Sequence, residues 1–351
     1  MKLSTMHRSV LCFAILALGT LAVAVPPPAA YHLLKKYTFG AAEGSTREYF
    51  DYVSVDSAAR RAYLSHGTEI VVVDADNGAL LGKITGMKQT HGVAVAAEFN
   101  RGFISDGAQG KLIIFDLKTL KVTGEAKAEN DADCVIYDPA SKRVFSMNGD
   151  SNNSTVVDAS TGKVVGTVAL GGAPEFAVAD GKGTVFNNLE DKNEVIAIDS
   201  TSLTVKSRWP VAPAGGPTAI AMDRDHRRLF IAARNPQMLV VMDADSGKVI
   251  QSFPISSGAD ADAYDPATGL VFVSTRDGMI HIFHEDSPDK FTAMDAVTTE
   301  YGAKTMGLDT KTHNLYLTTA DFSPAPAATA DHPNPRRSAI SGTFRLLVFG
   351  P

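Results

Sequence analysis

The chain is poor in the features that staple a small exported domain or hold one in a membrane. It has two cysteines in 351 residues, Cys12 in the first apolar segment and Cys134 far from it. If the leader is removed, Cys134 is left alone and cannot form an intramolecular disulfide, so the fold must be held by its core. Beyond that first segment no apolar run approaches spanning length. There, Lys2, His7 and Arg8 precede "VLCFAILALGTLAVAV", about 16 residues where roughly 20 are needed to cross a bilayer. Ala22-Val23-Ala24 follows with the small residues of a cleavage site. The expectation is a signal peptide over 1–24 and a mature, membrane-free chain over 25–351, periplasmic or secreted. Basic excess is missing too: the formal charge is −6, and loss of Lys2 and Arg8, two positive charges, makes it −8. Nonspecific binding to nucleic acid or anionic lipid needs a basic surface, so neither is expected as a partner. Helix-period stripes, a P-loop, a dinucleotide fingerprint and a G-x-S-x-G elbow are absent from suitable settings.

What is present is a repeat. Equivalent aromatic anchors fall at Tyr63, Phe103, Phe145, Phe186, Phe230, Phe272 and Tyr316, every 40 to 44 residues. Each unit holds four short alternating or apolar runs separated by Gly, Asp, Asn and Pro, which reads as four strands with tight turns. Seven such units predict an all-β, seven-bladed β-propeller with four antiparallel strands per blade. The seventh unit supplies "TMGLDT", "NLYLTT" and "FRLLVFG" and then ends at Pro351, one strand short. The stretch "YHLLKKYTFG" at 31–40 resembles a missing outer strand. The N-terminus is therefore predicted to complete the last blade and close the ring, pairing an edge that would otherwise be open.

Recurring acids near the end of third strands, Asp74 in "VDADNG", Asp158 in "VDASTGK", Asp199 in "IDSTS" and Asp243 in "MDADSGK", superficially suggest calcium loops. Such a loop needs a glutamate at its twelfth position. Counted from Asp74 and Asp243 that position is Thr85 and Pro254. Turn-capping is expected instead. His226 and His313 fall in turns between first and second strands and are read as surface residues of the opposite face.

Residues that vary in type at equivalent places on one face are the better functional candidates. Five places before the first-turn acid, the blades present Asp51, His91, Asp133, Glu175, Thr218, Asp260 and Lys304. Loops between second and third strands add His66, Asp106, Asn148, Asn188, Glu190, Arg234, Arg276 and Asp321. Acids dominate the early blades and cations the late ones, so the channel mouth is expected to be electrically polarised. Facing carboxylates call for a cation or a proton between them, which makes Asp51, His91, Asp133, Glu175 and Asp260 candidate ligands for a divalent metal, Ca, Mg or Zn. The Pro- and Ala-rich stretch 320–343 in the last blade is a candidate lid, with Asp331, His332, Arg336 and Arg337 as contacts.

The pattern of an apolar inner run, acid and turn followed by "VVDA" and "TGKVV", together with "PEFAVADGKGTVFNNLEDKNEVIAID" and "GTFRLLVFG", resembles the YVTN-type, YncE-like propeller repeat of exported bacterial proteins. The literal YVTN tetrapeptide is absent and is replaced by "AYLSH", "VFSMN" and "LFIAA". The resemblance spans Tyr31 to Pro351 and implies a binding or surface-assembly role without a catalytic set to carry over. A monomer that binds a small molecule or a protein partner at the channel mouth is expected first. A metal-assisted hydrolase or lyase of the propeller-lactonase type and a pure interaction scaffold are the alternatives.

Overall fold

A computed structural model describes residues 30–329 and 335–351. The proposed signal peptide, Asp331 and His332 lie outside the described residues. The chain forms a ring of seven antiparallel blades, the first six each built on four consecutive strands. Blade one runs through Val53–Asp56, Arg61–His66, Glu69–Asp74 and Leu80–Thr85, and blades two to six repeat the order. Blade six adds a short extra pairing of Val297–Thr298 with its third strand. In blade seven Met306–Asp309, Asn314–Thr319 and Arg345–Gly350 are completed by His32–Thr38, which pairs antiparallel with Arg345–Gly350 from Thr38 opposite Arg345 to His32 opposite Gly350. Among the described residues no helix is long and apolar enough to cross a membrane.

The hydrophobic core is split into seven slabs, one between each pair of neighbouring blades. Strands buried on both faces must be apolar on both, and the second and third strands read that way, as in "RLFIAAR" and "QMLVVMD". All seven repeat anchors are buried in these slabs. The turn acids do local work: Asp74, Asp116, Asp158, Asp199 and Asp243 each accept backbone N–H groups two or three residues on. The turn then closes through a residue at positive φ, glycine at 78, 162 and 247, where a Cβ would be strained.

Candidate functional site

The inner strands of five blades depart from regular pairing at the same end. Register shifts fall between Thr90 and Val93, Ala132 and Val135, Pro174 and Ala177, Pro217 and Ala219, and Ala259 and Ala261. His91, Asp133, Glu175, Thr218 and Asp260 lie inside those irregularities, and a bulge turns a side chain away from the direction regular pleating would give it. Asp51 and Lys304 precede the inner strands of blades one and seven. Of these, all but Thr218 line one open cavity of about 560 Å³ at the end of the channel, joined by Arg234 at the end of the blade-five second strand and Arg276 just after that of blade six. Arg336, Arg337, Ser338 and Ala339 come from the 320–343 stretch. That stretch is not featureless: Phe322 bridges Ala339, and the Phe322 ring packs edge-on against Tyr301 with centroids 4.9 Å apart.

Seven residues expected at the mouth do not line the cavity; Glu190 pairs with Arg234 and Asp321 with Arg345, and the other five are turned inward or buried. His66 is fully buried, 2.5 Å from Glu48 and stacked on Phe344. Asp106 accepts the backbone N–H groups of Lys88 and Gln89, Asn148 bonds Asn153 and Thr155, and Asn188 donates to the Ala219 carbonyl of the next blade. For Asp106 and Asn148 the reason is strand alternation. Asp106 and Asn148 close the ladder opposite Thr90 and Ala132, whereas Arg234 and Arg276 stand one place beyond the residues that close it in their own blades, Ala233 and Thr275. A one-residue offset reverses the face. Thr218 is buried and bonds the Gly216 carbonyl.

The acids do not face one another unbalanced. Lys304 Nζ lies 2.9 Å from Asp51 and also pairs with Asp260, which in turn pairs with Arg234. His91 Nδ1 lies 2.8 Å from Asp51 and 3.0 Å from Asp133. Burial works against the charge on His91, but Asp133 and then Asp51 outweigh it and lift the imidazole to about 10. For Asp51 burial is likewise outweighed, by the Lys304 ammonium and then His91, so its carboxyl is held below the usual range. Glu175 goes the other way: burial, with the charges of Asp133 and Glu190, pushes it well above the carboxylate range. Burial depresses Arg276; the charge of Asp260 opposes this, and Arg336 and Arg234 add repulsion. Among the described residues neither Arg276 nor Arg336 has a side-chain hydrogen bond or ion pair.

The atoms of Asp51, His91 and Asp133 lie within 4.8 Å of one another and could ligate a metal; Glu175 and Asp260 do not join that group. Sequence reasoning missed the aromatic part of the wall: Tyr49, Phe50, Tyr52, Phe176 and Phe322. The run "EYFDY" around Asp51 was the available signal. Below the mouth a second cavity of about 490 Å³ follows the inner strands of blades one to four past Cys134 and Tyr137 to Arg224.

No family model matches the chain, and no curated protein matches it. Among solved structures, hydrazine synthase of Kuenenia stuttgartiensis aligns with a TM-score of 0.70 at 13% identity, over 86% of this chain and 99% of that one. A chain in a crystal structure of the mitotic checkpoint complex aligns with a TM-score of 0.70 at 12% identity, over 99% of each. The likeness is one of fold: this is a seven-bladed β-propeller.

Proposed function

We propose that the protein is an exported, YVTN-type, YncE-like propeller, periplasmic or secreted and monomeric, that binds a small organic anion at the channel mouth. The observation that carries this reading is Arg276, a half-buried guanidinium on the cavity wall that feels the charge of Asp260 but, like Arg336, makes no side-chain hydrogen bond or ion pair among the described residues. Asp51, Asp133, Asp260 and Glu48 of the lining each pair with a basic side chain within the protein. Burial, then the charges of Asp133 and Glu190, favour the protonated form of Glu175. The cavity therefore carries surplus positive charge although the chain as a whole carries −6. Local fields of this kind draw an anion into a cleft, and an arginine fork suits a carboxylate or phosphate. In its protonated form Glu175 adds a hydrogen-bond donor, which the polar end of such a ligand would use.

The test is calorimetric titration with citrate and, separately, inorganic phosphate, on the wild-type chain and on Arg276→Ala. The reading expects binding of at least one anion, weakened at least tenfold by the substitution. Absence of binding by both, or equal binding by the variant, overturns it.

The second reading, a metal-assisted hydrolase or lyase, rests on Asp51, His91 and Asp133 as ligands for Ca, Mg or Zn. The cluster already holds a protonated imidazole and touches the Lys304 ammonium, so a metal would have to displace the His91 proton and tolerate that ammonium. The charge balance favours the anion.

A further inference from the structure

The opposite face of the ring carries a second cluster, at the cleft between blades five and six. Asp223 ends the inner strand of blade five and His226 follows in the turn. Glu285 reaches across from the third strand of blade six. His226 Nδ1 lies 2.6 Å from Asp223 Oδ2 and 3.0 Å from Glu285 Oε1. A single Nδ1 hydrogen serves the shorter contact, which leaves Glu285 Oε1 buried without a hydrogen-bond donor. Its other oxygen accepts from Tyr264 at 2.6 Å, so the carboxylate is fixed with its free oxygen aimed at the imidazole. The Glu285 side chain is 4% exposed and that of His226 50%, so the group is anchored at one end and open to solvent at the other.

Both residues are departures from the repeat. The backbone N–H of Glu285 bonds the Gly269 carbonyl, as those of Ala75, Leu117, Ala159, Ser200 and Ala244 bond the corresponding turn carbonyls of blades one to five. At that buried place five blades use an uncharged side chain and blade six alone an acid. A register shift between Glu285 and Ser287 accompanies the change. His226 in turn occupies the turn position held by Ala59, Phe99, Ser141, Thr268 and Thr312 elsewhere. An acid and an imidazole from two blades therefore break the pattern at one point in space, and an orphaned buried oxygen costs stability unless something satisfies it.

We infer that Asp223, His226 and Glu285 form a divalent-cation site suited to Zn²⁺. One imidazole nitrogen and two carboxylate oxygens form a mixed three-ligand set of the kind zinc accepts, with solvent filling a fourth position. Calcium and magnesium prefer oxygen alone. No Lys or Arg side chain pairs with Asp223 or Glu285 among the described residues; the neighbouring Arg228 is engaged by Asp243 and Asp289. That distinguishes this cluster from the mouth, where Lys304 supplies the positive charge. Replacing the shared Nδ1 proton by a metal gives all three donor atoms a partner at once. A proton on Glu285 is the competing occupant, favoured by its burial and by the charge of Asp223, which raise its affinity for one.

The experiment titrates chelator-stripped full-length chain with Zn²⁺ against a chromophoric zinc chelator, and with Co²⁺ read by its visible absorption. The expected result is one zinc equivalent whose affinity falls at least tenfold in Glu285→Gln and in His226→Gln and persists in His91→Ala. The Co²⁺ spectrum should show the intensity of a low-coordinate site in wild type and in His91→Ala only. His226→Gln changes a half-exposed turn residue, so it separates ligand loss from misfolding should Glu285→Gln fold poorly. Failure of wild type to bind zinc at micromolar concentration overturns the inference, as does zinc that survives both blade-five and blade-six substitutions.

Discussion

Lys304 and Asp51, 253 positions apart in sequence, meet at 2.9 Å across the seam where the seventh blade adjoins the first. The same ammonium pairs with Asp260 of blade six, so one side chain ties three blades together at the channel mouth. Burial disfavours the charge on Lys304, but Asp260 and then Asp51 overcome it and raise the group above the ordinary lysine range.

Lys304→Met removes that charge while keeping most of the volume. It leaves Asp51 and Asp260, 12% and 8% exposed as side chains, with only His91 and Arg234. Breaking a buried pair from one side is strongly destabilising, and a loss of about 3 kcal/mol is expected. Urea denaturation at pH 7 checks it. The variant should also take up divalent metal at the mouth more readily, because the competing ammonium is gone. Unchanged stability would mean that the two acids rely on solvent rather than on Lys304.

His91 gives the mouth a pH dependence whose sign follows from its surroundings. The folded imidazole titrates at about 10, above its ordinary 6.5, so protonation favours the folded state. That stabilisation is complete below the unfolded pKa and is lost as pH rises from 6.5 toward 10. Its size is on the order of 3 kcal/mol, allowing for water at the cavity wall. Stability measured over the roughly four pH units from about pH 6 to about pH 10 should decline more steeply in the wild type than in His91→Gln. Parallel curves would remove His91 as the titrating group.

The fold was legible because a repeat of anchors such as Phe145 and Phe230 carries its own register, and the missing strand of the seventh unit pointed to Tyr31–Gly40. The mouth positions Asp51, His91, Asp133, Glu175, Asp260 and Lys304 were legible as places equivalent to one another relative to the first-turn acid. The loop residues were harder. Asp106 and Arg276 differ by a single place in register, and sequence spacing counted by eye does not fix which face such a residue takes. Glu285 was hidden for a related reason: only the backbone bond from its N–H to Gly269 aligns it with Ala75 and Ala244, since blade six alters the turn that follows. Tyr52, whose ring meets that of Phe176 at 4.5 Å where both line the two cavities, was signalled by the aromatic run around Asp51, whereas Phe176 gave no signal beyond apolarity.

Cys134 lines the inner cavity with little exposure, and burial, followed by the charge of Asp133, pushes its thiol above the usual range. A thiolate is the reactive form, so labelling of the native chain by iodoacetamide at pH 7.5, about one unit below a free thiol's pKa, should be far slower than in urea. Cys134→Ala should cost at most about 1 to 2 kcal/mol and leave anion titration unchanged. Fast native labelling would show that the cavity admits reagent and that the thiol ionises there.

Closure by the N-terminal strand makes the boldest demand on stability. His32–Thr38 covers the edge of Arg345–Gly350. Tyr31 adds a buried ring 4.9 Å from Phe272 and a hydroxyl that donates to the His313 carbonyl at 2.8 Å, so it clamps blade six to blade seven. Lys36 reaches Glu300 at 2.5 Å on the outer surface. Deleting residues 30–40 removes all of these and opens the edge of an apolar strand, the kind of surface that pairs with other chains. The truncated chain should melt well below the intact one and aggregate on concentration. A synthetic peptide of residues 30–40 added in trans should restore part of the melting temperature, because the ladder it enters is already in register. Tyr31→Ala, which keeps the ladder and loses only the clamp, should fall between the two, by about 2 to 4 kcal/mol. A truncated chain with the melting temperature of the intact one would show that the ring closes without its first strand.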